Sequence, residues 1–177
     1  MKETSRNPKN EKVVIVDLHN RVLYSTTREK MRRERLIHRA TYILIVNSKG
    51  EILIQKRSKT KDIYPGLWEI AAGGVVNDAE TYAEAAVREV EEETGIKGAN
   101  LKEHFDFYFE DDTNRVWGKV FSCKFDGKII SQKEEVEEIK FVTLNELFTK
   151  FNLKNFTPDS IYLLKKHKKA LLEITST

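Results

Sequence analysis

The spacing of apolar residues changes along the chain, and each change marks an element. VVIVD (13–17) and RVLYST (21–26) flank a Leu-His-Asn turn and predict a short hairpin. The charged run TREKMRRERLIH (27–38) is helix-permissive, with Thr27 placed to open a short helix. RATYILIVN (39–47) is apolar enough for a central strand. A turn at NSKG sends EILIQKR (51–57) back as its partner. Leu67 to Ile70 predicts a brief strand, and a helix is expected from about Asp78 to Thr94, stopped by Gly95. LKEHFDFYFE and NRVWGKVFSCKF alternate as arms of a long hairpin around Asp-Asp-Thr, and VEEIKFV adds a strand. LNELFTKF (144–151) is a short helix behind Thr143. A last helix starts at Thr157-Pro158 and runs through DSIYLLKKHKKALLEI. One internal helix interrupts the strands and helices close the chain, which predicts a mixed sheet covered by helices: an α/β domain spanning 1–177, with a flexible polar lead over 1–11.

The predicted internal helix carries the candidate chemistry. Residues three and four apart share a helix face, so Glu89, Glu92 and Glu93 point one way. Ala79, Ala83, Ala86, Val87 and Val90 form another face, expected to bury against the sheet. Like charges at this spacing oppose the helix, and the dipole at its C-terminal end adds to that cost. A cation among the carboxylates offsets both. Three carboxylates without a neighbouring histidine or cysteine make an oxygen site, suited to Mg²⁺, or Mn²⁺ as a substitute, rather than Zn²⁺. Gly73 and Gly74 precede the helix, where they permit a tight turn and close backbone approach to a ligand.

Composition narrows the reading. The chain has 177 residues, 40% apolar and 33% charged, with a net charge of +3. That charge suits a small phosphorylated substrate and argues against nucleic acid. The single Cys123 excludes an intrachain disulfide and sits in an alternating strand. No apolar run approaches a membrane span, and the polar start is unlike a secretory signal, so a cytoplasmic protein is expected.

From Gly74 to Ile96 the sequence GVVNDAETYAEAAVREVEEETGI resembles the Nudix box, G-x5-E-x7-R-E-U-x-E-E-x-G-U with U aliphatic, at every fixed position. The resemblance implies a Nudix-type α/β/α sandwich with a loop–helix–loop. It also implies a metal-dependent hydrolase cleaving the diphosphate of a small nucleoside diphosphate-type substrate. It assigns Glu89, Glu92 and Glu93 to the metal, Arg88 to orienting the acids, and Glu80 to supporting the loop–helix–loop. Catalysis is expected from Glu92, Glu93, Arg88 and a further glutamate from a distal loop. Within QKEEVEEIKF, counting back from Phe141 favours Glu135, with Glu134 and Glu137 open. Many members of the family pair, so a homodimer is compatible.

Residues 13–96 further resemble the isopentenyl-diphosphate isomerase-like branch, through HRA, QKRS and KDIYPGLW. Ala71 and Ala72 stand where that branch has its catalytic cysteine, and Met31 replaces a companion of His38. The surroundings resemble the isomerase; the intact box implies hydrolysis. An isomerase-like protein, a non-catalytic diphosphate binder and a hydrolase of RNA 5′ ends are the alternatives. For the phosphates, Lys56, Arg57, Lys59 and Lys61 are candidate cations. Strand alternation lets only one of Lys56 and Arg57 face a cleft. Arg32, Arg33 and Arg35 form a second basic stretch. Tyr108 and Trp117 are candidate substrate contacts, whereas Trp68 reads as packing.

Overall fold

The computed structural model describes residues 8–132 and 134–176. Residues 1–7 of the predicted flexible lead lie outside this range. Residues 8–11 hold a 3-10 turn (Pro8–Asn10) and Glu11, whose carbonyl accepts Arg28 N–H at 2.8 Å. Strands β1 (Lys12–Val16) and β2 (Val22–Thr27) form the first hairpin. Helix α1 (Arg28–Arg33) follows, and Thr27 caps it by accepting from Lys30 N–H. Next come β3 (His38–Val46), β4 (Ile52–Arg57), β5 (Trp68–Glu69) and α2 (Tyr82–Thr94). Strands β6 (Lys102–Glu110) and β7 (Arg115–Lys124) make the long hairpin, and β8 (Val136–Val142) follows. Helices α3 (Leu144–Thr149), α4 (Pro158–Lys166) and α5 (Lys168–Ser176) close the chain.

The sheet is mixed. β3 runs parallel to β7 over its full length, from His38 opposite Val116 to Val46 opposite Lys124. The expected β3–β4 partnership holds only beside its turn, at Val46 and Ile52, because β4 swings away to pair with β8 and β5. That departure frees the other edge of β3. The segment before α2 occupies it instead: Ile43 exchanges hydrogen bonds with Ala72, Thr41 N–H donates to Gly74 O at 2.9 Å, and Val76 N–H donates to Arg39 O at 2.9 Å. The two halves of the sheet therefore part around the glycine loop, and a cleft opens there.

Both faces of β3 are buried, which explains its unbroken apolar run. Leu44 and Val46 join a core with Val120, Leu163 and Leu171, under the C-terminal helices. Ile43 and Ile45 join one with Ala86, Val90 and Cys123, under α2. Helices thus cover both sides of the sheet, an α/β/α sandwich. Two expectations need correction. Helix α2 starts at Tyr82, four residues late, because Ala79 adopts a left-handed φ of 63°. Its buried face is Ala85, Ala86 and Val90, while Ala83 and Val87 are exposed. The last helix is two, because His167 leaves helical geometry at the end of α4.

His38 heads β3 with 2% of its surface exposed, and its Nδ1 lies 3.1 Å from Leu36 O. Burial and the nearby Arg32 charge push its pKa down to about 3. The folded state holds it neutral, so between about 6.5 and about 3 the unfolded chain binds the extra proton. The stability is complete above pH 6.5 and is lost as pH falls. Compared by urea unfolding at pH 7 and pH 4, the wild type should lose about 3 kcal/mol more than His38→Asn, which cannot titrate. Equal losses would remove His38 from the acid response.

Candidate active site

Local chemistry fixes the start of α2. Thr81 accepts from Glu84 N–H, and the Glu84 carboxylate accepts from Thr81 N–H at 2.8 Å, closing a capping box. Glu84 is therefore a cap on the exposed side rather than only a solvated charge. Gly95 ends the helix at φ 71°.

Arg88 organises what lies between. Its Nε donates to Glu80 Oε1 at 2.7 Å and its Nη2 to Glu80 Oε2 at 2.9 Å. Nη1 reaches Glu89 at 2.7 Å and Glu92 at 3.2 Å, and Nη2 also reaches Val75 O at 3.3 Å. Burial disfavours its charge, but the bonds to Glu80 and the Glu89 carboxylate hold it firmly protonated. Glu80 also accepts Asn77 N–H at 3.0 Å, so loop and helix are tied through one guanidinium. Glu89 lies against Gly74, where an added Cβ would collide with its carboxylate. Gly73 has no such room either: at φ 146° its Cβ would strike Thr41 O.

Glu93 is buried deepest of the three acids, with its side chain 4% exposed. Its Oε2 accepts from Gly73 N–H at 2.9 Å and Gln55 Nε2 at 2.9 Å. Its Oε1 remains toward Lys61, 3.9 Å away. Burial, with Glu69 beside it, pushes its pKa up to about 8. Burial likewise raises Glu89.

These groups line a cleft of about 160 Å³. Glu135 reaches it through a close ion pair with Lys61. Its backbone is held there, because Ser58 N–H donates to Glu135 O at 2.9 Å. Glu134 is exposed outside the cleft, and Glu137 pairs with Lys56 at 3.1 Å. Arg57 lines the cleft and Lys56 does not: alternation on β4 turns Lys56 to the other face, which corrects its expected placement. Gly73 and Gly74 line it, as do Ala71 and Ala72. From α1, Arg28 and Arg32 face it, while Arg35 is spent on Glu110 and the Asp111 carbonyl. Tyr108 and Trp117 pack on each other at a tilt of 49°, against Val14 and Val16 and away from the cleft.

Sequence reasoning missed three contributors. Glu69 bonds Gln55 at 2.8 Å and Arg57 at 2.9 Å. Asp159, in the first turn of α4, accepts from Tyr42 Oη at 2.8 Å. Gln55 sits within the QKRS stretch, yet nothing in its spacing signals that its amide spans two carboxylates.

Among the described residues, no three carboxyl, imidazole or thiol groups are arranged to hold a metal ion together. Arg88 holds Glu89 and Glu92, and Gln55 and Gly73 hold one oxygen of Glu93. The donors still fit a hard divalent cation. All are carboxylate oxygens, and in two of them burial raises the pKa despite the neighbouring Arg88 and Lys61 charges.

Comparison with known proteins gives the fold and the family. The chain is similar to structures of DR0079 from Deinococcus radiodurans (TM-score 0.76, 23% identity, 88% of this chain and 98% of that one). It is similar also to the NUDIX domain of Shewanella oneidensis NrtR complexed with ADP ribose (TM-score 0.60, 13% identity, 75% and 87%), a likeness of fold. It is 44% identical over 162 residues to the uncharacterised Nudix hydrolase YfcD of Escherichia coli (92% of this chain, 89% of that one). Against an uncharacterised Nudix hydrolase of Pseudomonas aeruginosa it is 41% identical over 155 residues (88% and 92%). A model of the NUDIX domain matches residues 36–166, and the chain belongs to the Nudix hydrolase family.

Proposed function

We propose that the chain is a divalent-cation-dependent hydrolase that cleaves a diphosphate linkage in a small molecule, with Glu89, Glu92 and Glu93 holding the cation. One observation carries this reading: half-buried Glu89 and buried Glu93 line one small cleft together with Lys61 and Arg57. Acids on one wall and cations on the other suit a phosphate chain that must meet both. A bound divalent cation neutralises phosphate oxygens and acidifies an attacking water. Mg²⁺ is the expected ion, with Mn²⁺ as a substitute, since the donors are oxygens.

The chain's own residues have distinct roles. Arg88 positions Glu89 and Glu92. Gly73 N–H and Gln55 fix one oxygen of Glu93, so that the other is offered to the cleft. Lys61 and Arg57 hold phosphate oxygens, and the glycine loop lets them approach the backbone. Glu135, oriented by Lys61, takes the proton from the attacking water. The isomerase-like surroundings do not bring isomerase chemistry. Ala71 and Ala72, both buried beside the glycine loop, carry no transferable proton.

Phosphate monoester products should be followed by mass on a panel of diphosphates with Mg²⁺. On the best substrate, Glu92→Gln should cut turnover about 100-fold or more. Glu84→Gln should change little, because glutamine also closes a capping box on the exposed side. Parent-like rates for Glu92→Gln would show that the acids are not the site.

Glu135→Gln should lower turnover much more than it raises KM, as a base acting in the transition state requires. If Glu134→Gln or Glu137→Gln loses turnover instead, the role passes to that neighbour.

Isopentenyl diphosphate with Mg²⁺ should give no allylic product above blank. Turnover there would demand an acid–base pair in place of the two alanines.

A further inference from the structure

Arg28 and Arg32 lie one turn apart on α1 and both reach the cleft. Their Nε atoms converge on one oxygen, Asp62 Oδ2, at 3.2 and 3.1 Å. Arg32 Nη1 donates to Asn114 Oδ1 at 3.0 Å, and Arg28 Nη1 stands 3.8 Å from Glu11.

Charge here is balanced differently from the rest of the cleft. Lys61 is matched by Glu135 and Glu93, Arg57 by Glu69, and Arg88 by three carboxylates. Arg28 and Arg32 share a single close one. Among the described residues, the Nη groups of Arg28 and Nη2 of Arg32 find no hydrogen-bond partner. Both side chains are largely buried, at 23% and 17% exposed. Two forked cations with unspent donors and a single close carboxylate between them suit a phosphate. His38, buried beside them and held neutral, adds no charge of its own.

The size of the cleft says which phosphate. At about 160 Å³ it is smaller than the roughly 300 Å³ and above of pockets that enclose a drug-sized ligand. Phosphates fit inside; an attached organic group must leave through the mouth. A diphosphate esterified at both ends has two such groups to place, and one esterified at a single end has one. A terminal phosphate also carries about −1.5 to −2 charge and three acceptor oxygens, against one charge and two free oxygens within a diester.

We propose that Arg28 and Arg32 form a subsite for a free terminal phosphate, so that the substrate is a di- or triphosphate esterified at one end only. This rests on the diphosphate-hydrolase reading above. The test is calorimetric binding, with Mg²⁺, of methylene-bridged adenosine diphosphate, whose P–C–P link resists hydrolysis, and of the same analogue esterified with ribose. The wild type should bind the free-ended analogue about tenfold or more tightly. Arg32→Gln should reduce that preference to about threefold or less, with little change in affinity for the ester. Arg28→Gln, at the more exposed of the two positions, should do the same, and it carries the test if Arg32→Gln fails to fold. Equal affinity of the wild type for both analogues, binding of neither, or a preference untouched by these variants would overturn the subsite. Hydrolysis of the two oxygen-bridged parents is scored separately. Turnover without preference sinks the subsite and leaves the hydrolase. Preference in binding without turnover of either parent does the reverse.

Discussion

The site depends on one guanidinium. Arg88 joins the loop that precedes α2, through Glu80 and the Val75 carbonyl, to the acids that α2 presents. Without a cation at this point, Glu80, Glu89 and Glu92 would repel one another across a partly buried gap. Charge-assisted bonds of this kind are about twice as strong as neutral ones. Their geometry also sets where each carboxylate points. Glu89 lies flat on Gly74 because Arg88 draws it there, and only a residue without a Cβ leaves the room. Arg88 and Gly74 are in this sense one constraint, separated in sequence and joined in space.

A second constraint comes from the sheet. β3 is bonded along one edge by β7 and along the other by the segment from Ala72 to Val76. A rigid strand thereby holds a loop that would otherwise be mobile. The Gly73 amide is aimed at Glu93 as a result. Precision at the site comes from backbone pairing, and the side chains add charge to a frame already set.

Much of this was legible in the sequence. Helix caps at Thr27 and Thr143 precede helices as their chemistry requires, whereas the cap of α2 at Thr81 lay inside the expected helix, whose start was displaced by the left-handed Ala79. The acid spacing of α2 and the opposed directions of Lys56 and Arg57 follow from helix and strand periods alone. What could not be read was set by long-range pairing. That β4 would leave β3 for β8 has no local signal, and it is that departure which opens the cleft. Glu69, Asp159 and Gln55 likewise enter through tertiary contacts. The break at His167 was invisible because the apolar spacing continues through it, with Leu164 and Leu171 both in the core.

The cleft's two walls explain each other. A cluster of buried carboxylates is costly unless positive charge is near. Lys61, Arg57 and Arg88 supply enough to keep the fold intact, but not enough to return Glu93 to its ordinary pKa. The basic side is short of negative charge at Arg28 and Arg32, and on the acidic side burial holds Glu89 and Glu93 above their ordinary pKa despite Arg88 and Lys61. Lys61 links the two walls, 3.9 Å from Glu93, and the backbone frame holds the rest of them apart, with β3 and its glycine loop as the floor. On the reading proposed above, a cation would meet the acids and a polyanion the basic side chains. The separation of the two walls would then be the specificity for a metal–phosphate pair, and it exists because β4 and β3 diverge after a single shared turn.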